Sequence, residues 1–353
     1  MAASKRRSIL FTILRVAIGI GLAAYAIVYI LRHAGVDLAG AFGQCKWGLI
    51  ALGFLFYAVL LVMTIVRWYI LLIVQDIRLR AISLVQLTMI GIFWSGVIPG
   101  TVTGDFVKMY YVARHAGEKT SAAVLTIVLD RLVGLMGLFV VASVSVLLAL
   151  DFIRTAPDHL QLAVGIITGG SVCGLASVIA IAFREQLQRL PGVRHLIEFG
   201  ARVLPEKVTG IIERMSEALD LYRTKPRAVV LALLFSVIGH SAFAMTVYCI
   251  GKAFGEEIIS VAMYFVTVQV ANCVASIPLT PAGLGSRDLV ISLFFTELGA
   301  DGAKAAIVAV GLSLVIVSWT AIACVFWILS RRHGEGEGPD GSNSKAEGGA
   351  TPS

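Results

Sequence analysis

With 353 residues, 58% of them hydrophobic and only 14% charged, and a mean hydropathy of +0.88, the chain holds roughly half the charge of a soluble domain. That excludes an ordinary water-soluble fold, and the long uncharged runs place the chain in a membrane. The net charge of +7 lies in loops between apolar runs with no aromatic interleaving, a pattern of orientation signals and anionic headgroups rather than of nucleic-acid binding.

In chain order, Lys5-Arg6-Arg7 precede an apolar run at 9–31. It is about twice the length of a signal-peptide core and lacks a convincing cleavage site, which predicts a retained first helix. Further spans are expected at 47–74, 120–150, 160–183, 227–251 and 303–329, each near the ~20 apolar residues a crossing helix needs. Two more apolar stretches, 81–98 and 258–277, run into Pro/Gly-rich motifs and are followed by short amphipathic pieces at 105–116 and 287–298. Between 184 and 226, Val208, Ile211, Ile212, Met215, Leu219 and Tyr222 recur at helical spacing. They predict a helix on the cytoplasmic surface, serving as a connector or as a regulatory element. Residues 1–332 therefore read as one transmembrane domain, and 333–353, without apolar content, as a disordered tail. Of the five cysteines, none forms a C-x-x-C pair and four lie in apolar runs, so they read as small packing residues.

The distribution of Lys and Arg sets the orientation. With the N-terminus cytoplasmic, twenty fall on the cytoplasmic side and four, Arg32, Lys46, Arg154 and Lys252, on the other. Residues 75–80 and 108–119 then share the cytoplasmic side, so 81–107 must enter the membrane and return. Residues 252–257 and 299–302 share the opposite side, so 258–298 must do the same from the other face. The fold expected is an all-α, polytopic transmembrane helix bundle with about six full spans and two oppositely oriented re-entrant hairpins, an inverted repeat.

The two hairpin tips are alike. The first contains Ile98, Pro99, Gly100, Thr101, Thr103, Gly104 and Asp105; the second contains Ile277, Pro278, Thr280, Pro281, Gly283, Gly285, Arg287 and Asp288. Each has Ile-Pro, then Thr and Gly, then an acidic residue able to cap a following helix. Pro ends the preceding helix and Gly lets backbone approach a ligand. Such motifs are either plain surface loops or matched helix breaks of the kind that line a transporter's binding site.

Charges inside apolar runs form a second constellation. Asp130-Arg131 lies roughly 16 Å into its helix at 1.5 Å per residue, where an isolated charge costs about 2.5–3.5 kcal/mol or more. Neighbouring helix positions point about 100° apart, so at least one of this pair reaches another helix. Arg131 either takes an anionic headgroup or pairs with Asp130 or Asp105. Arg67, seven residues from the end of 47–74, can snorkel to the interface or turn inward. Gln269 and Asn272 can hold helices together, and His240 is either a packed donor or a proton shuttle. No nucleophile–base set, Walker motif or HExxH is present, so neither catalysis nor a metal or cofactor is expected.

The runs Ile98-Pro99…Gly104-Asp105…Tyr111…Arg114, Leu129-Asp130-Arg131 and Ile277 to Asp288, with Arg67-Trp68, resemble the lysylphosphatidylglycerol synthase transmembrane region, a flippase-like integral membrane family. The similarity spans about residues 10–330. It implies movement between leaflets of aminoacyl-phosphatidylglycerol or another lipid with a polar head, such as a lipid-linked saccharide. The alternative is a non-transporting subunit that presents lipid to, or docks, a separate lipid-modifying enzyme. The chain ends at Ser353 without the aminoacyl-transferase domain of bifunctional members, so lipid synthesis is not expected. It departs from the family pattern at Thr101-Val102-Thr103-Gly104, where more glycine is usual, and at Asp288, where Glu is common. The expected substrate-binding residues are Arg131, Arg287, Asp130, Asp105, Asp288, Thr101, Thr103, Thr280 and Arg67. The expected location is the plasma membrane, with both termini cytoplasmic.

Overall fold

The computed structural model describes residues 38–98, 103–115, 120–155, 157–182, 224–277 and 280–334, together with Tyr25, Val28, Tyr29 and Arg32. Most of the expected first span, the amphipathic segment up to residue 223, the tail from 335, and tip residues Pro99, Gly100, Thr101 and Pro278 lie outside the described residues.

Every element described is a helix: α1 Leu38–Gly43, α2 Trp47–Val74, α3 Ala81–Val97, α4 Thr103–His115, α5 Thr120–Leu148, α6 Leu150–Thr155, α7 Asp158–Ala182, α8 Pro226–Ala253, α9 Val261–Ala275, α10 Ser286–Glu297 and α11 Gly302–Gly334. Four of them, α2, α5, α8 and α11, contain apolar stretches of 27 or 28 residues, about 40 Å at 1.5 Å per residue and long enough to cross a bilayer. In α7 the apolar stretch is the shorter Leu160–Cys173. The protein is thus an integral, multi-pass helical membrane protein. Its surface fits that solvent, because Leu55, Leu147, Leu148, Leu162, Val230 and Leu293 point outward while Arg67, Asp105, Lys108, Asp130, Arg287 and Asp288 are buried.

Local chemistry sets the helix ends. Pro226 occupies the first turn of α8, where its missing N–H has no intrahelical role. Ser260 Oγ accepts from Met263 N at 3.4 Å to start α9, and Asp301 Oδ1 accepts from Ala303 N and Lys304 N at 2.9 and 3.1 Å to start α11. Ile98 leaves α3 in extended backbone, φ −102° and ψ 132°, as the residue before a proline does. At the second tip Ala282 and Gly283 take φ of 49° and 73°, and Gly285 takes 79°. Asp288 Oδ2 accepts from Gly285 N at 3.0 Å, so its expected capping role holds.

The order long, short, short, long occurs twice, in α2 to α5 and in α8 to α11. Within each set the two short helices fold back on one another. A methyl at Gly104 would overlap the Gly91 carbonyl, and one at Gly283 would lie 2.6 Å from Ala275 Cβ. Farther along the second pair, the Tyr264 and Phe295 rings meet edge to face at 4.8 Å. The sets interlock: α3 packs on α11, α9 packs on α5, and α2 runs antiparallel along α8. That last register is marked by Gly53 against Thr246 and Cys249, Arg67 against Ser236, and Lys225 Nζ donating to the Val74 carbonyl. Lipid gives apolar helices little reason to associate, so close approach at glycine and internal hydrogen bonds must supply it.

The two breaks also touch, through a hydrogen bond from Ala282 N to the Ser95 carbonyl at 2.9 Å. With Ser95→Cys and Ala282→Cys in one chain, oxidation in membranes should yield a disulfide between these positions, read by peptide mass spectrometry. Two thiols that both label freely yet never cross-link would separate the tips.

Candidate functional site

A buried ion pair joins α2 to α5. Arg67 donates from Nε to Asp130 Oδ1 at 2.7 Å and from Nη2 to Asp130 Oδ2 at 2.9 Å, while Nη1 donates to Ser236 Oγ on α8 at 3.0 Å. Such a fork satisfies carboxylate and guanidinium together, the form in which a charge pair is tolerated at low dielectric. Gly134, one turn past Asp130, makes the room, since a methyl there would lie 3.2 Å from Nη1. Trp68 Nε1 donates to Thr126 Oγ1 at 3.2 Å, and Thr126 donates to the Ala123 carbonyl at 2.7 Å. His240 Nε2 lies 3.0 Å from the Gly134 carbonyl, which can only accept, so this nitrogen carries the proton.

A second pair ties α4 to α5, with Arg131 Nε donating to Asp105 Oδ2. The Arg131 side chain is 45% exposed and that of Asp105 only 11%, so this pair stands at a mouth rather than in the core. Asp130 and Arg131 therefore reach different helices, α2 and α4, as their angular separation allows.

Between these pairs lies a cavity of about 320 Å³. Its walls come from α2, α3, α4, α5, α8, α9, α10 and α11, with Tyr57, Thr64, Ser95, Asn272, Ser276 and Thr320 among the polar side chains. Arg67, Asp105, Asp130, Arg131 and Arg287, five of the residues singled out in the sequence, line it together. Gly104 lines it too. Arg287 is 9% exposed, its Nε has no hydrogen-bond partner among the described residues, and its guanidinium carbon lies 5.3 Å from the centre of the Phe243 ring.

Other expected residues stand apart from the cavity. Asp288 turns to α11 and accepts from Ser313 Oγ at 2.5 Å, and Thr280 Oγ1 lies 3.3 Å from Ser286 Oγ. Thr103 opens α4 without reaching the wall, and Pro281, Gly283 and Gly285 shape the turn before α10. Asn272 faces the cavity instead of a neighbouring helix, while the Gln269 amide is fully buried with no partner among the described residues. The snorkelling alternative for Arg67 is overturned, because its side chain runs inward to Asp130. Among the described residues no cluster of His, Cys, Asp or Glu forms a metal-binding group.

Sequence reasoning missed Lys108, which it counted among cytoplasmic loop charges. The structure buries it at 8% exposure on the cavity wall, with Nζ 5.3 Å from the centre of the Trp68 ring. The available signal was its spacing of three from Asp105 on one amphipathic helix, which puts both on one face.

The model of the lysylphosphatidylglycerol synthase TM region matches residues 13–325. The chain belongs to this family. Within it, the chain is similar to the UPF0104 membrane protein PH1989 of Pyrococcus horikoshii, with 24% identity over 272 residues that cover 72% of this chain and 79% of the relative. The match takes in both helix breaks and all the cavity residues named above.

Removing one partner of the Arg67–Asp130 fork leaves a buried charge alone, at a cost of about 3–5 kcal/mol. Asp130→Ala should therefore lower the melting temperature of the purified protein sharply, whereas Arg67→Met combined with Asp130→Leu should recover most of the loss. Equal losses in the single and double variants would mean the pair is not a closed unit.

Proposed function

We propose that the chain translocates a lipid with a polar or charged head between leaflets, using the central cavity as the headgroup site. The observation that carries this reading is a cavity lined by buried charges at the point where two broken helices meet. Unpaired backbone and charge survive at membrane depth only inside protein or beside water. Matched helix breaks in two halves are the usual sequence mark of a transport site.

In this reading α3–α4 and α9–α10 are re-entrant hairpins that dip in from opposite faces, and the two long-short-short-long sets form an inverted repeat. At 17, 13, 15 and 12 residues, each short arm spans less than the ~30 Å hydrocarbon layer. With the spans at 9–31 and 160–183 added, the membrane is crossed six times. Both termini face the cytoplasm of a cell whose plasma membrane holds the protein.

The lipid's polar head lies among Arg131, Arg287 and the tip backbone, while its acyl chains remain outside among exposed residues such as Leu135 and Phe106. Arg67 and Asp130 hold the wall in place. The protein performs no bond chemistry itself; it passes lipid to or from a separate lipid-modifying enzyme. Aminoacyl-phosphatidylglycerol and lipid-linked saccharides are the candidate cargo classes, as family membership suggests.

The test is the full chain reconstituted in liposomes with phosphatidylglycerol fluorescently labelled at its head, followed by a membrane-impermeant quencher. Added protein should make the inner-leaflet half of the probe accessible, and Arg287→Met should slow this at least tenfold. Folded protein that leaves the inner half as protected as protein-free liposomes do would turn the reading toward a lipid-presenting subunit.

A further inference from the structure

Four cationic side chains, Arg67, Lys108, Arg131 and Arg287, line the cavity with only two carboxylates, Asp105 and Asp130. Each carboxylate is already engaged: Asp130 holds Arg67 through both oxygens, and Asp105 holds Arg131. The surplus is therefore Lys108 and Arg287. Neither makes an ion pair among the described residues; they lie over the faces of Trp68 and Phe243, each ring centre 5.3 Å from the cation. An aromatic face favours a cation but does not neutralise it. Asp288 makes its hydrogen bonds to Gly285 N and Ser313 and acts on Arg287 only through space, so it offsets part of the surplus without pairing with it. Even if it is counted with the neighbourhood, one positive charge is left over.

The two cations also lie in corresponding arms, though not at corresponding positions. Lys108 lies in α4 and Arg287 in α10, the second arms of the two folded-back pairs, so the surplus comes equally from both sets. Buried cations without counterions are costly unless a ligand completes them. The Nε of Arg287 adds a donor that finds no acceptor among the described residues.

We infer that Lys108 and Arg287 together bind a phosphate group carrying two negative charges, a phosphomonoester or diphosphate, on the head of the lipid that occupies this cavity. The inference rests on reading the cavity as a headgroup site, and it gives that head a sign. Lysylphosphatidylglycerol has one phosphodiester charge against two ammonium groups, a net single positive charge. Such a head would bring a cation to a wall already in cationic excess, with no free carboxylate to receive it. Guanidinium and ammonium suit the dianion differently: Arg287 offers directed donors, while Lys108 offers a compact charge.

The experiment measures binding to the purified full chain by quenching of tryptophan fluorescence, to which Trp68 contributes. The probes are dioctanoyl phosphatidic acid, dioctanoyl phosphatidylglycerol, dioctanoyl lysylphosphatidylglycerol, and inorganic phosphate and pyrophosphate. Phosphatidic acid should bind at least tenfold tighter than phosphatidylglycerol and tighter still than the lysyl lipid. Lys108→Met and Arg287→Met should each weaken it at least tenfold, and Lys108→Arg should restore most of the affinity. Unchanged melting temperatures would identify variants that remain folded, and Lys108→Arg keeps the charge where methionine is not tolerated.

Tightest binding of the lysyl lipid, or indifference of phosphatidic acid to both methionine variants, would overturn the assignment of charge while leaving a lipid site intact. Inorganic phosphate or pyrophosphate binding as tightly as phosphatidic acid would identify a soluble anion as the ligand and overturn the lipid source. Equal binding of every lipid, insensitive to Arg287→Met, would instead remove the headgroup site on which the inference depends.

Discussion

A guanidinium placed among apolar helices needs a counterion, and the Arg67–Asp130 fork meets that need for α2 and α5 at once. Because Nη1 of the same group also donates to Ser236, a single side chain fixes three of the long helices in register. The cavity exists beside this contact because the fork holds α2, α5 and α8 at a set separation. Buried charges can then face inward without drawing the walls together. Within the pair both oxygens of Asp130 are taken up by Arg67, whereas Lys108 and Arg287 form no ion pair among the described residues.

The bilayer inverts the ordinary economy of a protein core. Apolar side chains cover the outside, where lipid accepts them, so the bundle coheres through close backbone approach and polar contacts inside. Glycine sits where that approach is tightest. Gly91 and Gly104 let the arms of the first pair meet, Gly137 admits Ser236, and Gly134 leaves space for the Arg67 head. Larger side chains at these points would widen the bundle and shift the polar partners out of hydrogen-bond reach.

How much of this was legible before the structure depended on whether the governing rule is local. Long apolar runs announce helices because a bilayer imposes a minimum length, and α2, α5, α8 and α11 follow it. The breaks after Val97 and Ala275 were readable because proline and glycine act on their own stretch of backbone. Asp130 and Arg131 could be assigned to different neighbours from helical geometry alone. Partner identity was another matter: Asp130 is 63 positions from Arg67, and nearness to a helix end does not say which way a long side chain runs. Lys108 failed for the same reason, since a lysine beside a loop-forming motif looks like a surface charge until the helix carrying it packs inward. The hydroxyls of Ser236 and Thr320 carry no sequence signal, because serine and threonine in such helices usually bond their own backbone.

The mouth pair has a counterpart in the second set. Asp105 of α4 meets Arg131, and Asp288 of α10 meets Ser313; Arg131 and Ser313 stand the same number of residues past the starts of α5 and α11. One latch is thus ionic and half wet, while the other is a carboxylate held by a hydroxyl and sealed away from solvent. Parting the first would expose two opposite charges that dissolved ions can screen; parting the second would expose a carboxylate whose neighbouring cation, Arg287, is itself buried. Ionic strength should therefore ease movement at one folded-back pair of helices more than at the other, giving a bundle of nearly repeated form two ends of unequal stiffness.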